Sequence, residues 1–271
     1  MKNKLKAAIY GLAIGDAIGV PVEFKERGSF FVDTMTGYGT HRQPAGTWSD
    51  DTSMTIATCD SIRECGKVDT FDIRSKFADW YFGSKYTVDG LFDIGGTTAQ
   101  AIRTGMPLND IYSNGNGSLM RILPLAFTNA SDQEVQAVSA ITHAHQISRM
   151  ACVYYVNIVR RLAAGESLKG IIRSMNFESP YHRMHSIYSL TENEIKSSGY
   201  VVDTFEAALW AVATTDNFKD AVLKAVNLGD DTDTVGAVAG GLAGIIYGME
   251  GIPEEWIDGL RGKDIIDNCL F

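Results

Sequence analysis

The stretch GDDTDTVGAVAGGLAGIIYG, residues 229–248, carries the reading of the fold. From Thr232 onward it is apolar and rich in Gly and Ala, which suits a central helix packed closely on its neighbours. Where the preceding loop becomes that helix, Asp230, Asp231 and Asp233 crowd together with Thr232 and Thr234. Outward from this stretch, helical periodicity dominates the chain. Residues 218–227 form one helix, and another opens at Asp203 or Thr204 and runs through Ala213. Residues 145–164 form a strongly apolar helix closed by Ala163-Ala164-Gly165. Ser131 with Glu134, and Thr191 with Glu194, read as capping boxes that mark helix starts. Residues 91–104 hold a turn at Asp93-Ile94-Gly95-Gly96-Thr97 that leads into a helix, and residues 72–81 form a further one. Ser49 is an N-cap for a helix running to about Cys65, and residues 4–20 have helix-like spacing. Between these two lies a long loop, residues 23–48, rich in Gly, Thr, Arg and aromatics; loops of this length inside a compact chain are usually functional. Past the central helix, Pro253 takes a first helical position before Glu254 and Glu255. Only Tyr200-Val201-Val202 is strand-like, and it is too short to found a sheet. The fold class is therefore all-α. No linker, low-complexity tract or fixed-period repeat divides the chain, so residues 1–271 are expected to form a single domain.

Composition narrows the function. With 271 residues, 45% of them hydrophobic and 21% charged, the chain builds a core that needs no disulfide or structural metal. A metal site here speaks to chemistry. The net charge of −9 is the wrong sign for a duplex-binding protein or one that binds anionic membranes, so neither a nucleic-acid nor a membrane partner is expected. The same sign opposes a phosphate-bearing substrate unless bound dications reverse it locally. No apolar run is expected to span a bilayer, and the apolar N-terminal stretch reads as a helix, not a signal peptide. Cys59, Cys65, Cys152 and Cys269 form no CxxC pair or zinc spacing. Cys59 and Cys152 read as buried thiols, which suits a reducing, cytoplasmic setting.

Two acidic boxes carry the chemistry. The first is Ser49-Asp50-Asp51-Thr52 and the second Asp230-Asp231-Thr232-Asp233-Thr234, each at a loop-to-helix junction. Asp, Ser and Thr favour such positions because they cap free N–H groups and complement the helix dipole. A cap uses one side chain, however, and the second box offers three carboxylates within four positions. Such crowding repels itself unless a cation or strong donors compensate. Two such boxes in one chain favour a site for hard cations, which take carboxylate and hydroxyl oxygens.

At this point the sequence resembles the ADP-ribosylglycohydrolases over nearly its whole length. The likeness runs through Gly15-Asp16-Ala17-Ile18-Gly19 with Glu23 after it, Trp48-Ser49-Asp50-Asp51-Thr52, and Phe92-Asp93-Ile94-Gly95. It continues through Gly115-Asn116-Gly117-Ser118-Leu119-Met120-Arg121, Thr142-His143 and Gly229-Asp230-Asp231-Thr232-Asp233-Thr234. Each motif alone is weak; their order and number are specific. The resemblance implies a compact orthogonal helical bundle with a binuclear centre of two Mg²⁺ or Mn²⁺ ions. Its metal ligands fall on Ser49, Asp50, Asp51, Asp231, Asp233 and Thr234. Asp230, where many relatives have Gly, receives no ligand role.

The resemblance further implies that Glu23 approaches the metals and is, beside Asp93, a catalytic candidate to take a proton, whereas by itself it reads as an exposed loop carboxylate beside Lys25 and Arg27. Asp93, otherwise an Asx-turn or cap, becomes a candidate general base at the reacting ribose and points towards arginine-type linkages. Ser113, Gly115 and Gly117 fall near the substrate diphosphate, Ser118 is a further substrate-binding candidate, and His143 matches a substrate contact. His145 reads as a helix cap or surface residue, His182 and His185 as structural or exposed, and His41 is unassigned. The implied reaction is hydrolysis of the bond between ADP-ribose C1″ and an acceptor, a protein side chain or small molecule, releasing ADP-ribose. Two other readings stand beside it: another two-metal hydrolase such as a phosphohydrolase, and a non-catalytic ADP-ribose-binding relative. The sequence leaves the oligomeric state open.

Overall fold

The computed structural model describes residues 2–271. Twelve α-helices follow one another: α1 (Lys2–Gly19), α2 (Asp50–Cys65), α3 (Thr70–Gly83), α4 (Gly96–Thr104), α5 (Asp132–Ser139) and α6 (Gln146–Ala163). Then come α7 (Leu168–Ser174), α8 (Val201–Ala213), α9 (Phe218–Val226), α10 (Thr232–Tyr247), α11 (Glu254–Gly259) and α12 (Lys263–Cys269). Short 3₁₀ turns join them, among them Val20–Val22, Leu123–Phe127 and Tyr181–Ser189. Among the described residues the only β pairing is three isolated bridges, so the all-α expectation holds.

The centre is a pair of helices that touch backbone to backbone. Gly11, Gly15 and Gly19 line one face of α1, and Gly236, Gly240 and Gly244 line one face of α10, each set at intervals of four. A Cβ on Gly15 would lie 2.0 Å from the Gly236 carbonyl oxygen, and one on Gly240 2.1 Å from that of Gly11. Only hydrogen side chains permit this approach. It sets the C-terminal end of α1 beside the first turn of α10, where the second acidic box lies. The remaining helices enclose the pair: α8 and α9 lie against α10, α2 against α1 and α3, and α6 against α5 and α8.

Local chemistry explains the helix limits. Ser49 caps α2, and Gly66 closes it in the left-handed region at φ 66°. Ser131 and Glu134 make the reciprocal capping box of α5. His145 caps α6, its Nδ1 accepting from the Ile147 amide at 3.3 Å. Several expectations shift. α3 begins earlier because Asp69 caps it, accepting from Phe71 and Asp72. Val201 and Val202 are the first turn of α8, ahead of the predicted Asp203 or Thr204. The Thr191–Glu194 box is formed but heads only a single 3₁₀ turn, Glu192–Glu194. Pro253 is the residue before α11 and not its first.

By length and composition alone Lys2–Val22 could cross a membrane, its most apolar 18-residue window having a mean hydropathy of 1.4, but 94% of that window is buried inside the protein, in keeping with the helix read from the sequence. Its apolar character serves the core, because α1 is covered on nearly every side. All four cysteines are free, with Cys59, Cys152 and Cys269 buried.

Candidate active site

The two acidic boxes, far apart in sequence, meet. α2 and α10 start side by side, and the Thr234 hydroxyl of the second box lies 3.3 Å from Asp51 Oδ2 of the first. The Ser49 hydroxyl is also 3.3 Å from that oxygen. The second box is tied to α1 by Thr232, whose hydroxyl donates to the Gly19 carbonyl at 2.8 Å. The long loop begins here as well: the Phe24 amide donates to the Asp230 carbonyl at 2.7 Å, and the Asp230 amide to that of Lys25 at 2.9 Å. That pairing brings Glu23 to within 4.8 Å of Asp231 and Asp233, ligand atom to ligand atom. Glu23 is 4% exposed and so is not the loop carboxylate that its neighbours suggest. Arg27 does not reach it; its guanidinium holds the carbonyls of Leu228, Glu192 and Ile195. Asp230 sits at φ 59° with its side chain exposed, a left-handed position that explains why glycine suits it and why it stands outside the cluster.

The electrostatics are those of crowded anions. Burial, followed by the charges of Asp93, Asp16, Glu23 and Asp231, pushes Asp50 well above the usual carboxylate range. Burial and neighbouring carboxylates raise Asp51 and Asp233 in the same way. Asp231 is raised chiefly by burial, against hydrogen bonds from Thr234 and Asn116. Glu23 is pushed up to about 8 by burial and by Asp93 and Asp231, although His41 pulls the other way. Asp51 Oδ1, Asp231 Oδ1 and both oxygens of Asp233 are sealed from solvent with no hydrogen-bond donor. A buried carboxylate oxygen without a donor is costly, and capping cannot account for four of them. Hard-cation ligation can, because these are carboxylate oxygens flanked by the hydroxyls of Ser49 and Thr234.

Three positioning groups were not singled out from the sequence. Asp16 is fully buried and accepts from the Ser49 amide at 2.9 Å, the Thr52 amide at 3.0 Å and the Thr52 hydroxyl at 2.6 Å. It caps α2 from α1, which frees the side chains of the first box to face the cluster. A charged residue between two glycines in an otherwise apolar helix was the available signal. Asn116 donates to Asp231 Oδ2 at 3.0 Å and to the Thr204 hydroxyl at 2.9 Å, turning Asp231 Oδ1 inward. His41 pairs closely with Glu23 through Nε2, and its ring lies 5.4 Å from that of Phe92. Glu23, His41 and Asp93 together form a second convergent trio. A lone loop histidine gave no sign of this. Asp93 is partly buried at φ 48°, a strained setting for a non-glycine residue of the kind found at functional sites.

The glycine-rich segment lies beside this cluster. Gly115 and Gly117 are partly open and border the ring of His143, which is 2% exposed. The Ser113 hydroxyl is engaged by Asp110 at 2.6 Å. Ser118 departs from the expected substrate contact: its hydroxyl is fully buried and held by Ser139 at 2.9 Å, so that side chain packs the interior. His182 and His185 are exposed, as read from the sequence.

The ADP-ribosylglycohydrolase family model matches residues 1–270. The chain belongs to the ADP-ribosylglycohydrolase family. It is 37% identical to the ADP-ribosylarginine hydrolase Tri1 of Pseudomonas putida, over 94% of this chain and 74% of that protein. It is 35% identical to the ADP-ribosyl-dinitrogen reductase glycohydrolase of Rhodospirillum rubrum, over 96% of this chain and 91% of that one. A solved structure described as an ADP-ribosylglycohydrolase-related protein complex superposes with a TM-score of 0.82 at 31% identity, covering 99% of this chain and 95% of its own. This ADP-ribosylglycohydrolase is thus a hydrolase acting on glycosyl bonds of ADP-ribose.

Proposed function

We propose that the enzyme removes ADP-ribose from arginine side chains with two divalent cations, Mg²⁺ or Mn²⁺, at the joined acidic boxes. The observation that carries the metal reading is the set of sealed, donor-less oxygens on Asp51, Asp231 and Asp233. Ser49, Asp50, Asp51, Asp231, Asp233 and Thr234 would hold the ions. Bound cations would offset the clustered negative charge and polarise the hydroxyls and water that they touch. The arginine linkage is supported by likeness to the hydrolases named above and by the Asp93-Ile94-Gly95 turn.

In this reading the C1″–N bond to the guanidinium breaks and a C1″–O bond to water forms. Asp93, at the partly open edge of the cluster, takes the proton from that water. The guanidine leaves with the bonding electron pair and receives the proton that Asp93 took, which restores the carboxylate. Positive charge grows on the ribose as the bond lengthens, and Glu23 and the neighbouring carboxylates favour it electrostatically. His41 holds Glu23 in place.

The test is a panel of defined ADP-ribose conjugates, on arginine, serine and small molecules, with Mn²⁺ or Mg²⁺ added and the products separated. Intact ADP-ribose released preferentially from the arginine conjugate is expected. Asp51→Asn and Asp231→Asn should each slow turnover by roughly 100-fold or more while circular dichroism stays unchanged. Release of AMP, or parental activity after chelation, overturns the reading.

A further inference from the structure

The net charge of −9 and the acidic cluster leave open how the site receives the anionic part of its substrate. The glycine-rich segment beside the cluster, joined to it where Asn116 donates to Asp231, leads to a cation. Arg121 is fully buried, and among the described residues no carboxylate pairs with it. Its guanidinium lies 4.4 Å over the ring of Phe77 and is held by neutral acceptors only, the carbonyls of Gly117 and Val138 and the hydroxyl of Thr142. A buried cation with no counter-charge is costly even when it is hydrogen-bonded, so its retention calls for a function.

The hydroxyl of Thr142 links this cation to His143. It accepts from Arg121 Nη2 at 2.8 Å and lies 2.8 Å from His143 Nδ1. A hydroxyl has one hydrogen to give, and arginine can only donate. Were Nδ1 to carry the imidazole proton, the Thr142 oxygen would accept twice and its own hydrogen would have no acceptor, since it has no other side-chain partner. The consistent assignment is that Thr142 donates to Nδ1 and the proton resides on Nε2. Burial, with the nearby Arg121 charge, holds the His143 pKa down at about 3, so the ring is neutral at physiological pH.

Nε2 has no partner in the protein, yet it is not sealed from solvent. It opens between the two glycines. A Cβ on Gly115 would lie 3.5 Å from Nε2, and one on Gly117 3.4 Å from it and 2.9 Å from Cε1. Glycine at both positions leaves a window over the one free donor of the ring.

We propose that Arg121 and Thr142 are positioning residues that lock His143 as the Nε2–H tautomer, so that it presents a fixed neutral donor, backed by a buried positive charge, to an anionic oxygen of the substrate at the Gly115–Gly117 window. The identity of that oxygen rests on the function proposed above, under which it belongs to the diphosphate of ADP-ribose. The tautomer does not depend on that function. The site is then bipolar: carboxylates gather where the ribose reacts, and donors gather where the phosphates lie.

The experiment is ¹⁵N NMR of the histidine ring nitrogens in the whole protein, with titrations of ADP-ribose and inorganic pyrophosphate. In the parent, His143 should show a protonated Nε2 and a bare Nδ1, unchanged from pH 6 to 8. Thr142→Val should release the tautomer and weaken ADP-ribose binding about 10-fold, with KM affected more than kcat, and Thr142→Ser should restore both. Gly115→Ala, whose methyl group fits at ordinary contact distance, should weaken binding while leaving the tautomer as in the parent. A protonated Nδ1 in the parent overturns the proposal whatever the substrate proves to be. So does unchanged ADP-ribose affinity in both Gly115→Ala and Thr142→Val; a Thr142→Val variant that fails to fold leaves the parent spectrum and Gly115→Ala to decide. The expected tautomer with no turnover of any arginine conjugate would instead count against the arginine reading alone.

Discussion

At the scale of single residues, the site depends on buried groups that hold its side chains in place. Asp16 faces only donors: two amides and a hydroxyl. Asparagine has the same shape but would set N–H against N–H. Asp16→Asn is therefore expected to destabilise the protein by about 1–3 kcal/mol and to lower Mn²⁺ affinity, since the first turn of α2 loses its anchor. Thermal unfolding and calorimetric metal titration measure the two effects, and parental values for both would show that Asp16 is dispensable. Residue-level legibility was uneven. Clustered carboxylates announce themselves by repetition, so both boxes were read directly. Asp16, Asn116 and His41 act singly, and one polar residue in a helix or loop has no pattern to betray it.

At the scale of elements, the α1–α10 contact is the part least able to absorb change. Gly15→Ala would drive a methyl group to 2.0 Å from a carbonyl oxygen of the opposing backbone. Overpacking of this kind costs about 1–3 kcal/mol where side chains can yield, and more where backbone must. Gly15→Ala should thus lower the melting temperature sharply or prevent folding. Gly83→Ala, which meets nothing within 4 Å, should change it little. Equal melting temperatures for the two variants would rule out the close backbone approach.

The clasp between α2 and α3 yields a pH prediction. Burial raises Asp60, but hydrogen bonds from Tyr86, Arg63 and Lys76 outweigh it and bring the pKa from its ordinary 3.8 to about 2. A folded pKa below the unfolded one stabilises the protein above the unfolded value, and the benefit fades as pH falls from about 4 to about 2. Asp60→Asn should flatten that limb of the stability–pH curve, measured by urea unfolding between pH 2 and 6; an unaltered limb would place acid sensitivity elsewhere.

At the scale of the whole molecule, function and stability oppose each other. The tertiary fold forces carboxylates from α1, α2, α10 and the long loop into one buried space, at a cost that bound cations would offset under the function proposed above. With chelator present, Asp233→Asn should therefore be more stable than the parent by a few degrees, because it removes one charge whose two oxygens have no donor. Addition of Mn²⁺ should reverse the order, since the parent binds more tightly. A variant that melts below the parent in chelator would show that the cluster is not under repulsive strain.

The sequence by itself determined the helical class, most helix starts, the two acidic boxes and the family, because periodicity, caps and repeated motifs are local properties of the chain. Only the tertiary structure decided that Thr234 meets Asp51, that Glu23 is buried beside His41, and that Arg121 reaches His143 through Thr142. Those are contacts between segments brought together by packing, above all by the glycine faces of α1 and α10. No local pattern encodes which distant partner a buried polar atom will find.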